Sequence, residues 1–536
     1  MSRLTLACPR DSARHRAAPL ASALLVACSG EPTLPAGASG EPDIVLLSVD
    51  TLRADHLGVY GYGRDTSPTF DTLARDGVRF SAARSASPWT LPAHTTMLSG
   101  QLPETHHVVE DTLSLDAGVP VLPELLQAKG FATGGFVATL YVSRLFHFER
   151  GFDQFEDFDL KTERQNLAGE VTAEDVVDKA LSWWSAQPPG KPVFLFLHVY
   201  DVHYQYDPPA PYSTLFDRAP EGDDARYKSY AFYKKKKLKA AQMEHQVAQY
   251  DESIRYVNDQ VARVAAAAAA AGRKIRWAIT ADHGEEFGER GSWGHAHTLY
   301  NEQLHVPLIL SGEGVPAGLV VDRPVGTQDI APTLAAWAGA TGLQADGLDL
   351  SALLAGASLP ERPFPAETSR FKTNRIGLLE GPYRIEWDLE HDRAEVFDTR
   401  VDPAEAKPLA DPALRQALQA RVEAVWGLPW EAKVAGKVRS TGVILSKGRH
   451  TELVVAPGDR FLVMPPDADL HFEGASGVAG PYRAAGGAQP GPSDPVSWGG
   501  QGRVKGVELD AQTREMLEKL GYVQGEEEAP AGAPEP

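Results

Sequence analysis

An acid and an imidazole stand side by side at Asp282 and His283, directly after the apolar run 275–280. Carboxylate oxygens and imidazole nitrogens are common ligands of divalent metals. Asp50 follows a second apolar run, 44–49, and can supply a third ligand. Neighbouring side chains on a strand point to opposite faces, but both can turn towards one site where the strand ends. These three residues therefore predict a site for a divalent metal.

A hydroxyl that could act as a nucleophile is found at Thr90, within the segment 87–100. Pro92 is typical of the first turn of a helix, so the pattern predicts Thr90 as the N-cap. A threonine that only caps the helix is the structural interpretation. The functional interpretation is a nucleophile at a helix N-terminus, where the dipole and the free N–H groups favour an anionic substrate. A metal bound beside the hydroxyl would lower its pKa.

Four continuous apolar runs predict the strands that must position these residues. Continuous runs, rather than alternating ones, are typical of strands buried on both faces. They alternate with helix-like segments, which predicts an α/β fold with a large, mostly parallel sheet sandwiched by helices. In such sheets ligands bind beyond the carboxyl ends of the strands. We expect the acids and histidines after three of the runs to meet at one edge: Asp50 after 44–49, Asp201 and His203 after 193–199, and Asp282 and His283 after 275–280, the fourth run being 306–310.

The sequence pattern changes after about residue 347, where predicted antiparallel strands replace the alternation of strand-like and helix-like segments. Helices are predicted at 122–129, 173–184, 240–271 and 412–426, and antiparallel strands at 375–387 and 394–398. The regions predicted from these changes are a signal peptide at 1–27, a tether at 28–42, a catalytic domain at 43–345, a C-terminal α+β subdomain at 346–430, a β-rich appendage at 431–505, and a helix with a disordered acidic tail at 506–536.

The N-terminus has the pattern of a targeting segment. Arginines precede the short apolar run 20–27, which is too short to span a bilayer. The run ends in Leu25-Val26-Ala27-Cys28, which matches the lipobox of bacterial lipoproteins. We therefore predict a lipid on Cys28 and a location in the bacterial cell envelope, in the periplasm or at the cell surface. The alternative is an ordinary secretory signal with a chance cysteine.

Composition excludes several classes of function. The chain of 536 residues carries 52 basic and 72 acidic side chains, and its net charge of −20 argues against a protein that binds nucleic acid through phosphates. Its two cysteines cannot form a disulfide framework or a four-cysteine zinc site. We predict no nucleic-acid partner.

Several segments between residues 43 and 410 match, in order, the motifs of one known family. They are Asp43-Ile-Val-Leu-Leu-Ser-Val-Asp50, Thr90-Leu-Pro-Ala-His94 with Gly100, His198-Val-Tyr-Asp-Val-His203, Asp282-His-Gly-Glu285, Gly294-His295-Ala-His297, Gln328-Asp329-Ile-Ala-Pro-Thr333 and Glu395-Val-Phe-Asp398. On these segments the chain is identified as a member of the sulfatase family, in the alkaline phosphatase superfamily. The resemblance implies an alkaline-phosphatase-like fold and hydrolysis of an anionic ester.

The chain departs from the family pattern at the nucleophile. Sulfatases oxidise a cysteine or serine to formylglycine, whereas Thr90 stands at this position and His94 stands at the signature arginine. We therefore expect no formylglycine. Thr51 replaces the second opening acid, and the segment 136–141 lacks the lysine and histidine that sulfatases usually carry there. His295 stands where sulfatases often have lysine.

The resemblance implies a role for each remaining candidate. Asp50, Thr90, Asp282 and His283 are expected to bind one divalent metal, with Zn²⁺ or Mn²⁺ favoured by the histidine and Ca²⁺ as the alternative. Thr90 would attack the substrate, and His94 would orient Thr90 or contact the anion. The candidates for binding the anion oxygens or protonating the leaving group are His203, His295 and His297. For each histidine taken alone a structural role is the rival. We expect most of His106, His107, His198 and His305 to be structural or exposed.

The sequence favours a metal-dependent hydrolase of an anionic ester on a glycan or a lipid head group. A threonyl ester lacks the second hydroxyl by which formylglycine hydrate expels sulfate, so in-line attack by water or an alcohol must clear it. Within the superfamily, phosphodiesterases and phosphoethanolamine transferases use threonine in this way, which favours a phospho-ester over a sulfate ester. The alternatives are a phospho-group transferase acting on a glycan or lipid, a true sulfuric ester hydrolase, and an inactive sulfatase-like binding lipoprotein.

Overall fold

The computed structural model describes most of the chain up to residue 426 and short strand segments beyond it. The described ranges are 31–37, 40–157, 171–217, 240–370, 373–426, 430–431, 435–445, 449–456, 460–464, 470–474, 482–483 and 504–506. The predicted signal peptide, Cys28 and the predicted C-terminal helix and tail therefore lie outside the described residues. Among the helices that are described, none combines the length and the apolar character needed to cross a bilayer.

A large sheet forms the centre of the catalytic region. Within the described residues it has nine strands, in the order β11-β2-β10-β7-β1-β6-β4-β5, with β12 beside β2. Its strands are β1 (Asp43–Val49), β2 (Gly77–Arg84), β4 (Ala132–Val137), β5 (Gln154–Glu156), β6 (Val193–Val199), β7 (Ile275–Thr280), β10 (His305–Gly312), β11 (Leu319–Val321) and β12 (Val325–Gly326). The short strands β3 (Leu113–Leu115), β8 (Glu286–Phe287) and β9 (Trp293–Gly294) lie outside it.

The predicted α/β fold with a mostly parallel sheet is confirmed. β1 lies between β6 and β7 and is parallel to both, so that Ser48 is level with His198 and Thr280. All residues of β1 and β6 are buried, as continuous apolar runs predict. The fourth predicted run, now β10, is antiparallel to β7 and β2. Its first residue, His305, therefore lies at the edge where β7 ends.

Helices cover this sheet in two groups. α1, α5 and α6 pack on one another and on the strands, and α2, α4 and α8 form a second packed group. The helices are α1 (Pro68–Arg75), α2 (Thr90–Ser99), α3 (Pro103–His106), α4 (Leu122–Ala128), α5 (Ala173–Ser185), α6 (Ala240–Ala270), α7 (Asn301–Leu304), α8 (Ile330–Trp337), α9 (Ser351–Leu354) and α10 (Pro412–Trp426). The four helices predicted from the sequence are present within one or two residues.

The long helix α6 holds the loop that follows β1. The hydroxyl of Tyr250 donates to the carbonyl of Thr51 and accepts from the backbone N–H of Arg53, both at 2.8 Å. Three residues after Arg53, His56 Nδ1 lies 2.7 Å from the buried carboxylate of Asp251. The helix therefore fixes the backbone on the C-terminal side of Asp50.

A second, antiparallel sheet forms the C-terminal subdomain. It consists of β13 (Phe364–Thr368), β14 (Arg375–Glu380), β15 (Tyr383–Asp388) and β16 (Arg393–Asp398), in that order. Helix α10 packs on it through Leu418, Val422 and Trp426, which are buried. The run predicted at 375–387 is a hairpin of two strands, and β13 was not predicted.

The C-terminal β segments form a further sheet. Its described strands are β17 (Trp430–Glu431), β18 (Gly436–Leu445), β19 (Arg449–Val455), β20 (Arg460–Met464), β21 (Leu470–Gly474) and β22 (Tyr482–Arg483). The last strand, β23 (Val504–Gly506), pairs instead with β3 of the catalytic region. Where the domain boundaries lie in this part of the chain stays a prediction.

Residues 31–37, part of the predicted tether, contact the catalytic region. Leu34 is buried in the main core, and Arg273 donates to the carbonyl of Pro35 at 2.9 Å. Arg273 also forms a buried ion pair with Asp43, with N–O distances of 2.6 and 2.7 Å. This pair lies at the start of β1, at the edge of the sheet opposite Asp50.

The Asp43–Arg273 pair is expected to contribute to stability and not to activity. Asp43→Asn would leave the buried guanidinium without its charge partner, which costs about 3–5 kcal/mol of the free energy of unfolding. Urea denaturation monitored by circular dichroism checks this. Asp178→Asn is the matched control, because Asp178 is 56% exposed where it pairs with Arg263, and surface pairs contribute about 0–1 kcal/mol. Equal stability losses in the two variants would contradict the prediction.

Candidate active site

Three buried side chains meet beyond the carboxyl ends of β1 and β7. Asp50, Asp282 and His283 each place one ligand atom within 4.8 Å of the other two. His283 Nε2 lies 3.3 Å from Asp282 Oδ2 and 3.9 Å from Asp50 Oδ1. These three atoms are buried and have no hydrogen-bond partner in the structure. They are therefore the atoms that a metal would take as ligands.

The rest of each ligand is held by a hydrogen bond, which fixes its orientation. Asp282 Oδ1 accepts from the backbone N–H groups of Thr51 and His283, at 3.2 and 2.8 Å. His283 Nδ1 donates to the carbonyl of Gly284 at 3.0 Å, which leaves the Nε2 lone pair available. Such partners set the tautomer and direction of metal-binding residues.

Asp50 is oriented by His198, which reaches it from β6. The backbone N–H of Ala138 donates to His198 Nδ1 at 3.4 Å, so the ring proton is on Nε2. That Nε2 donates to Asp50 Oδ2 at 3.2 Å. Burial lowers the pKa of His198 to about 4, so the ring is neutral. His198 was expected to be structural or exposed. It is buried and donates a hydrogen bond to Asp50, one of the candidate ligands.

The donor set fits a divalent cation. Burial raises the pKa of Asp50 to about 7, against the opposing effect of His283. Burial and the neighbouring Asp50 raise the pKa of Asp282 as well. A cation between the two carboxylates would offset both effects.

Thr90 is the first residue of α2, with Trp89 as the N-cap. The prediction that Thr90 is the N-cap is therefore wrong by one residue, because the helical conformation begins two residues before Pro92. The Thr90 hydroxyl lies close enough to the carboxylate of Asp50 to act against the rise in its pKa. All ten residues of α2 are buried. The hydroxyl thus adjoins the ligand cluster at the N-terminal end of a buried helix.

His94 lies one turn further along α2 and is completely buried. Its Nδ1 donates to the carbonyl of Thr90, and its Nε2 accepts from the hydroxyl of Ser48, both at 2.9 Å. Burial lowers its pKa to about 3, which keeps the ring neutral. These contacts place His94 beside the backbone of Thr90, and which of its two predicted roles it has stays a prediction.

His203 and His295 form a histidine pair next to His283. The ring centroid of His295 lies 4.9 Å from that of His203 and 4.5 Å from that of His283. His203 donates to the carbonyl of Tyr204 and accepts from the hydroxyl of Tyr200. Burial lowers the pKa of both histidines well below the ordinary value.

A buried glutamate supports His295. Glu285 Oε1 lies 2.9 Å from His295 Nδ1, and Glu285 Oε2 accepts from the hydroxyl of Tyr206 at 3.1 Å. Burial raises the pKa of Glu285 to about 8, so its carboxyl group carries a proton at neutral pH. A proton shared between Oε1 and Nδ1 would leave Nε2 of His295 as an N–H donor.

His297 does not join this pair. Its Nδ1 donates to the carbonyl of His295, and its Nε2 faces Glu286 Oε2 at 3.2 Å. Burial alone would raise the pKa of Glu286. The hydrogen bonds with His297 and Thr298 outweigh this effect and lower the pKa to about 2. His297 lines a separate cavity of about 550 Å³ between the catalytic region and the C-terminal subdomain.

Two residues with positive φ lie beside the site. Thr51 has a φ of 55°, held by its N–H bond to Asp282 and by its hydroxyl, which donates to the carbonyl of Val202 at 2.9 Å. Ala296, next to His295, has a φ of 70° and is held by the backbone of Pro88. Such conformations cost free energy and persist where surrounding contacts impose them. Thr51 is thus part of the frame that orients Asp282.

A family model matches more than half of the chain. It is the model for the sulfatases, described as Sulfatase, and it matches residues 42–340. The chain belongs to the sulfatase family. As a member of it, the protein is a hydrolase that acts on sulfuric or phosphoric esters, and the buried acidic cluster agrees with the metal dependence typical of this family.

Similar proteins include enzymes of both ester classes. The Delta 4,5-hexuronate-2-O-sulfatase of Bacteroides thetaiotaomicron is 25% identical over 433 residues, which cover 72% of this chain and 88% of that protein. The phosphonate monoester hydrolase of Silicibacter pomeroyi has a similar fold, with a TM-score of 0.59, 22% identity and coverage of 72% of this chain and 94% of that one. A structure solved with its substrate D-glucosamine-2-N,6-O-disulfate has a TM-score of 0.61, 17% identity and coverage of 72% and 96%.

Proposed function

We propose that this sulfatase-family protein is a metal-dependent hydrolase that cleaves an anionic ester through Thr90, with a phospho-ester favoured over a sulfate ester. The observation that carries the proposal is the contact between the Thr90 hydroxyl and Asp50. One oxygen of Asp50 belongs to the three buried ligand atoms without a hydrogen-bond partner. The nucleophile and the candidate metal ligands thus share one carboxylate.

The preference for a phospho-ester follows from the chemistry of threonine. A threonyl ester has no geminal hydroxyl that could expel the bound group, so water must attack the central atom in line. In the superfamily, phosphodiesterases and phosphoethanolamine transferases use a threonine with phospho-esters in this way. The similar fold of a phosphonate monoester hydrolase supports this preference. The similarity to the hexuronate sulfatase, in contrast, supports a sulfate ester as the competing substrate.

Residues Asp50, Asp282 and His283, with the Thr90 hydroxyl, would hold the metal. When bound, a divalent cation would lower the pKa of the hydroxyl and offset the negative charge of the ester. The mixed oxygen and nitrogen ligands favour Zn²⁺ or Mn²⁺.

In the first step, Thr90 Oγ1 forms a bond to the phosphorus or sulfur atom as the bond from that atom to the leaving oxygen breaks. The hydroxyl proton of Thr90 passes to the carboxylate of Asp50. The leaving oxygen takes the proton from Nε2 of His295, and the proton of Glu285 moves to Nδ1 of His295. The alcohol is released, and the substrate group remains as an ester on Thr90.

In the second step, a water oxygen bonds to the same central atom and the bond to Thr90 Oγ1 breaks. Thr90 recovers its proton from Asp50. The water proton passes to Nε2 of His295, and the proton on Nδ1 returns to Glu285. All residues then have their starting protonation, and the net reaction is hydrolysis to the alcohol and the free acid anion.

Glu285→Gln is expected to lower kcat about 10–100-fold, because glutamine cannot return a proton to His295. The loss should be larger for an alkyl ester than for an aryl ester, since an aryl oxide leaves readily without a proton. Steady-state kinetics with ester pairs that differ only in the leaving group check this.

Glu286→Gln is the matched control for that variant. Glu286 is equally buried but faces His297, so its loss should lower thermal stability without changing the dependence on the leaving group. If Glu285→Gln lowers kcat by the same factor for alkyl and aryl esters, Glu285 does not take part in proton transfer.

The proposed function is tested with paired substrates. The metal-loaded protein is assayed with an aryl phosphodiester and an aryl sulfate, with and without an acceptor alcohol. Faster cleavage of the phosphodiester supports the proposal, and cleavage of the sulfate alone identifies a true sulfuric ester hydrolase. Product found mainly on the acceptor alcohol identifies a transferase. Cleavage of neither ester, by a protein that takes up no metal during the loading step, identifies an inactive binding protein.

The natural substrate is proposed to carry its ester on a glycan or a lipid head group. The hexuronate sulfatase and the glucosamine disulfate complex support a glycan. A lipid on Cys28 would hold the enzyme at the bacterial cell envelope, where both kinds of substrate occur.

A further inference from the structure

Residues 31–37, the docked segment, lie against the edge of the large sheet at which β1, β6 and β7 begin. The carbonyl of Ala36 accepts from the backbone N–H of Gly190 at 3.0 Å, and the carbonyl of Pro35 accepts from Arg273 at 2.9 Å. Gly190 lies three residues before β6, and Arg273 lies two residues before β7. The docked segment is therefore fixed at the amino ends of strands whose carboxyl ends carry the candidate site.

The first half of the docked segment is held as well. Leu34 is 4% exposed and belongs to the main hydrophobic core. Glu31 pairs with Arg263 of α6. An exposed ion pair contributes little on its own, so the buried leucine and the backbone bonds fix the segment. Cys28 precedes Glu31 by three residues, which span at most about 11 Å. A lipid on Cys28 would therefore be attached close to this surface.

The candidate site lies at the other end of the same strands. β1 runs for seven residues, Asp43–Val49, and a strand rises about 3.3 Å per residue, so about 20 Å separate its two ends. Arg273, which contacts the docked segment, pairs with Asp43 at the first end. Asp50 follows the second end. A head group in a membrane on the side of the docked segment would therefore meet the edge of the sheet without the candidate site.

Two segments beside the docked segment are basic, although the chain is acidic. Residues 179–192 and 260–276, which we call the basic edge, form the C-terminal parts of α5 and α6 and the loops into β6 and β7. They contain no acidic side chain and six basic ones, namely Lys179, Lys191, Arg263, Arg273, Lys274 and Arg276. Four acids from other parts of the chain pair with three of these residues. The basic edge with these acids thus keeps a positive charge, in a chain of net charge −20.

We propose that the basic edge faces the membrane to which Cys28 is attached, so that the active site opens away from it and the substrate ester is carried by a glycan; this inference rests on the proposed function and its lipid on Cys28. Basic side chains are attracted to the anionic head groups of a bilayer. Because only about three residues lie between the lipid and the docked segment, the linker is too short to let the protein turn over. A head group of the same bilayer would then be out of reach of Thr90.

The orientation is measured with a fluorophore in vesicles of phosphatidylcholine and phosphatidylglycerol. The full-length, lipidated protein carries the dye at Lys274→Cys in the basic edge or at Asp207→Cys, four residues after His203. Both positions are exposed. Lipids with a spin label on the head group should quench most of the fluorescence at position 274 and little of it at position 207. Equal quenching at the two positions, or stronger quenching at position 207, overturns the inference.

Leu34→Ser tests whether the docked segment sets this orientation. Loss of the buried side chain should free the segment, so that quenching at position 274 falls towards that at position 207. Thr33→Ser is the matched control, because Thr33 is exposed, and it should leave quenching unchanged. If Leu34→Ser lowers the melting temperature too far, a glycine-serine linker inserted after Cys28 replaces it and should have the same effect. Unchanged quenching after this insertion overturns the role of the docked segment.

The substrate side of the inference is tested by comparing the lipidated protein with Cys28→Ala. Each is assayed with an aryl phosphodiester in solution and with the same ester on a lipid in the vesicles. Lipidation should leave both rates unchanged. A site that faced its own membrane would gain about a hundredfold on the vesicle-bound ester from the high effective concentration, and such a gain overturns the inference.

These outcomes are separate from those of the proposed function. A chain without a lipid on Cys28, as shown by mass spectrometry, overturns the orientation but leaves hydrolysis of the soluble ester intact. A lipidated chain that cleaves neither ester, yet shows quenching at position 274 alone, keeps the orientation and overturns the proposed function.

Discussion

Thr90→Ala is expected to lower kcat/KM by at least about a thousandfold, which corresponds to about 4 kcal/mol of transition-state stabilisation. The variant removes the oxygen that forms the covalent bond, whereas Asp50, Asp282 and His283 remain in place. The prediction is checked by steady-state kinetics on the preferred ester and by mass spectrometry of the acid-quenched reaction. The wild-type peptide that contains Thr90 should carry the mass of the transferred group.

Two variants control for effects on folding. Thr90→Ser keeps a hydroxyl and should retain far more activity than Thr90→Ala. Thr95→Ala removes a buried hydroxyl from the same helix, where it donates to the carbonyl of Leu91 at 2.8 Å, and it should change kcat/KM less than about threefold. Full activity in Thr90→Ala would show that another group attacks the ester.

Removal of the metal is expected to abolish turnover, with a loss of at least about a thousandfold. Without a cation, Asp50 and Asp282 are two buried carboxylates whose pKa values are raised by burial. Asp282→Asn should lower bound metal, measured by mass spectrometry of the digested protein, together with activity. Asp201→Asn is the control, because burial raises the pKa of Asp201 as well, whereas this residue lies outside the cluster of three candidate ligands. Normal metal content in Asp282→Asn would contradict the assignment.

His283→Asn gives a sharper test of the same site. It replaces the imidazole nitrogen by an amide oxygen, so that all the ligands become oxygen atoms. The preferred metal should then move from Zn²⁺ or Mn²⁺ towards Ca²⁺. Equal selectivity in the wild type and the variant would show that His283 does not bind the metal.

The fold was largely predictable because buried strands have a clear sequence pattern. The runs at 44–49, 193–199 and 275–280 became three neighbouring parallel strands, so their ends had to meet. The direction of β10 could not be predicted, because an apolar run has the same pattern in parallel and antiparallel strands. The hairpin at 375–388 was read as one strand, since the turn at Gly381 is short.

The candidate site was predictable where its residues lie in contiguous motifs. Asp50, Asp282 and His283 lie together as expected. The exact start of α2 was not predictable, because helix ends depend on local packing to within a residue or two. His297 faces the second cavity because the loop turns at Ala296, and nothing in a motif of alternating histidines shows which side of the loop each ring will take.

The supporting residues were mostly missed. Glu285 stands within the matched motif and could have been found from it, since a buried acid beside a catalytic histidine is a common arrangement. Ser48 and His198 lie within apolar runs and look like strand residues.

β13 is hydrogen-bonded to both loops that carry catalytic candidates, through the carbonyls of Ala86 and Ala296, and these bonds have a consequence for how this enzyme can evolve. The family match ends at residue 340, which suggests a unit that could be exchanged as a module. Exchange at that boundary would join the loops around Thr90 and His295 to a foreign sheet that does not fit them. We therefore expect the catalytic region and β13 to be inherited together, with new specificity arising by substitution along β13 rather than by recombination in front of it.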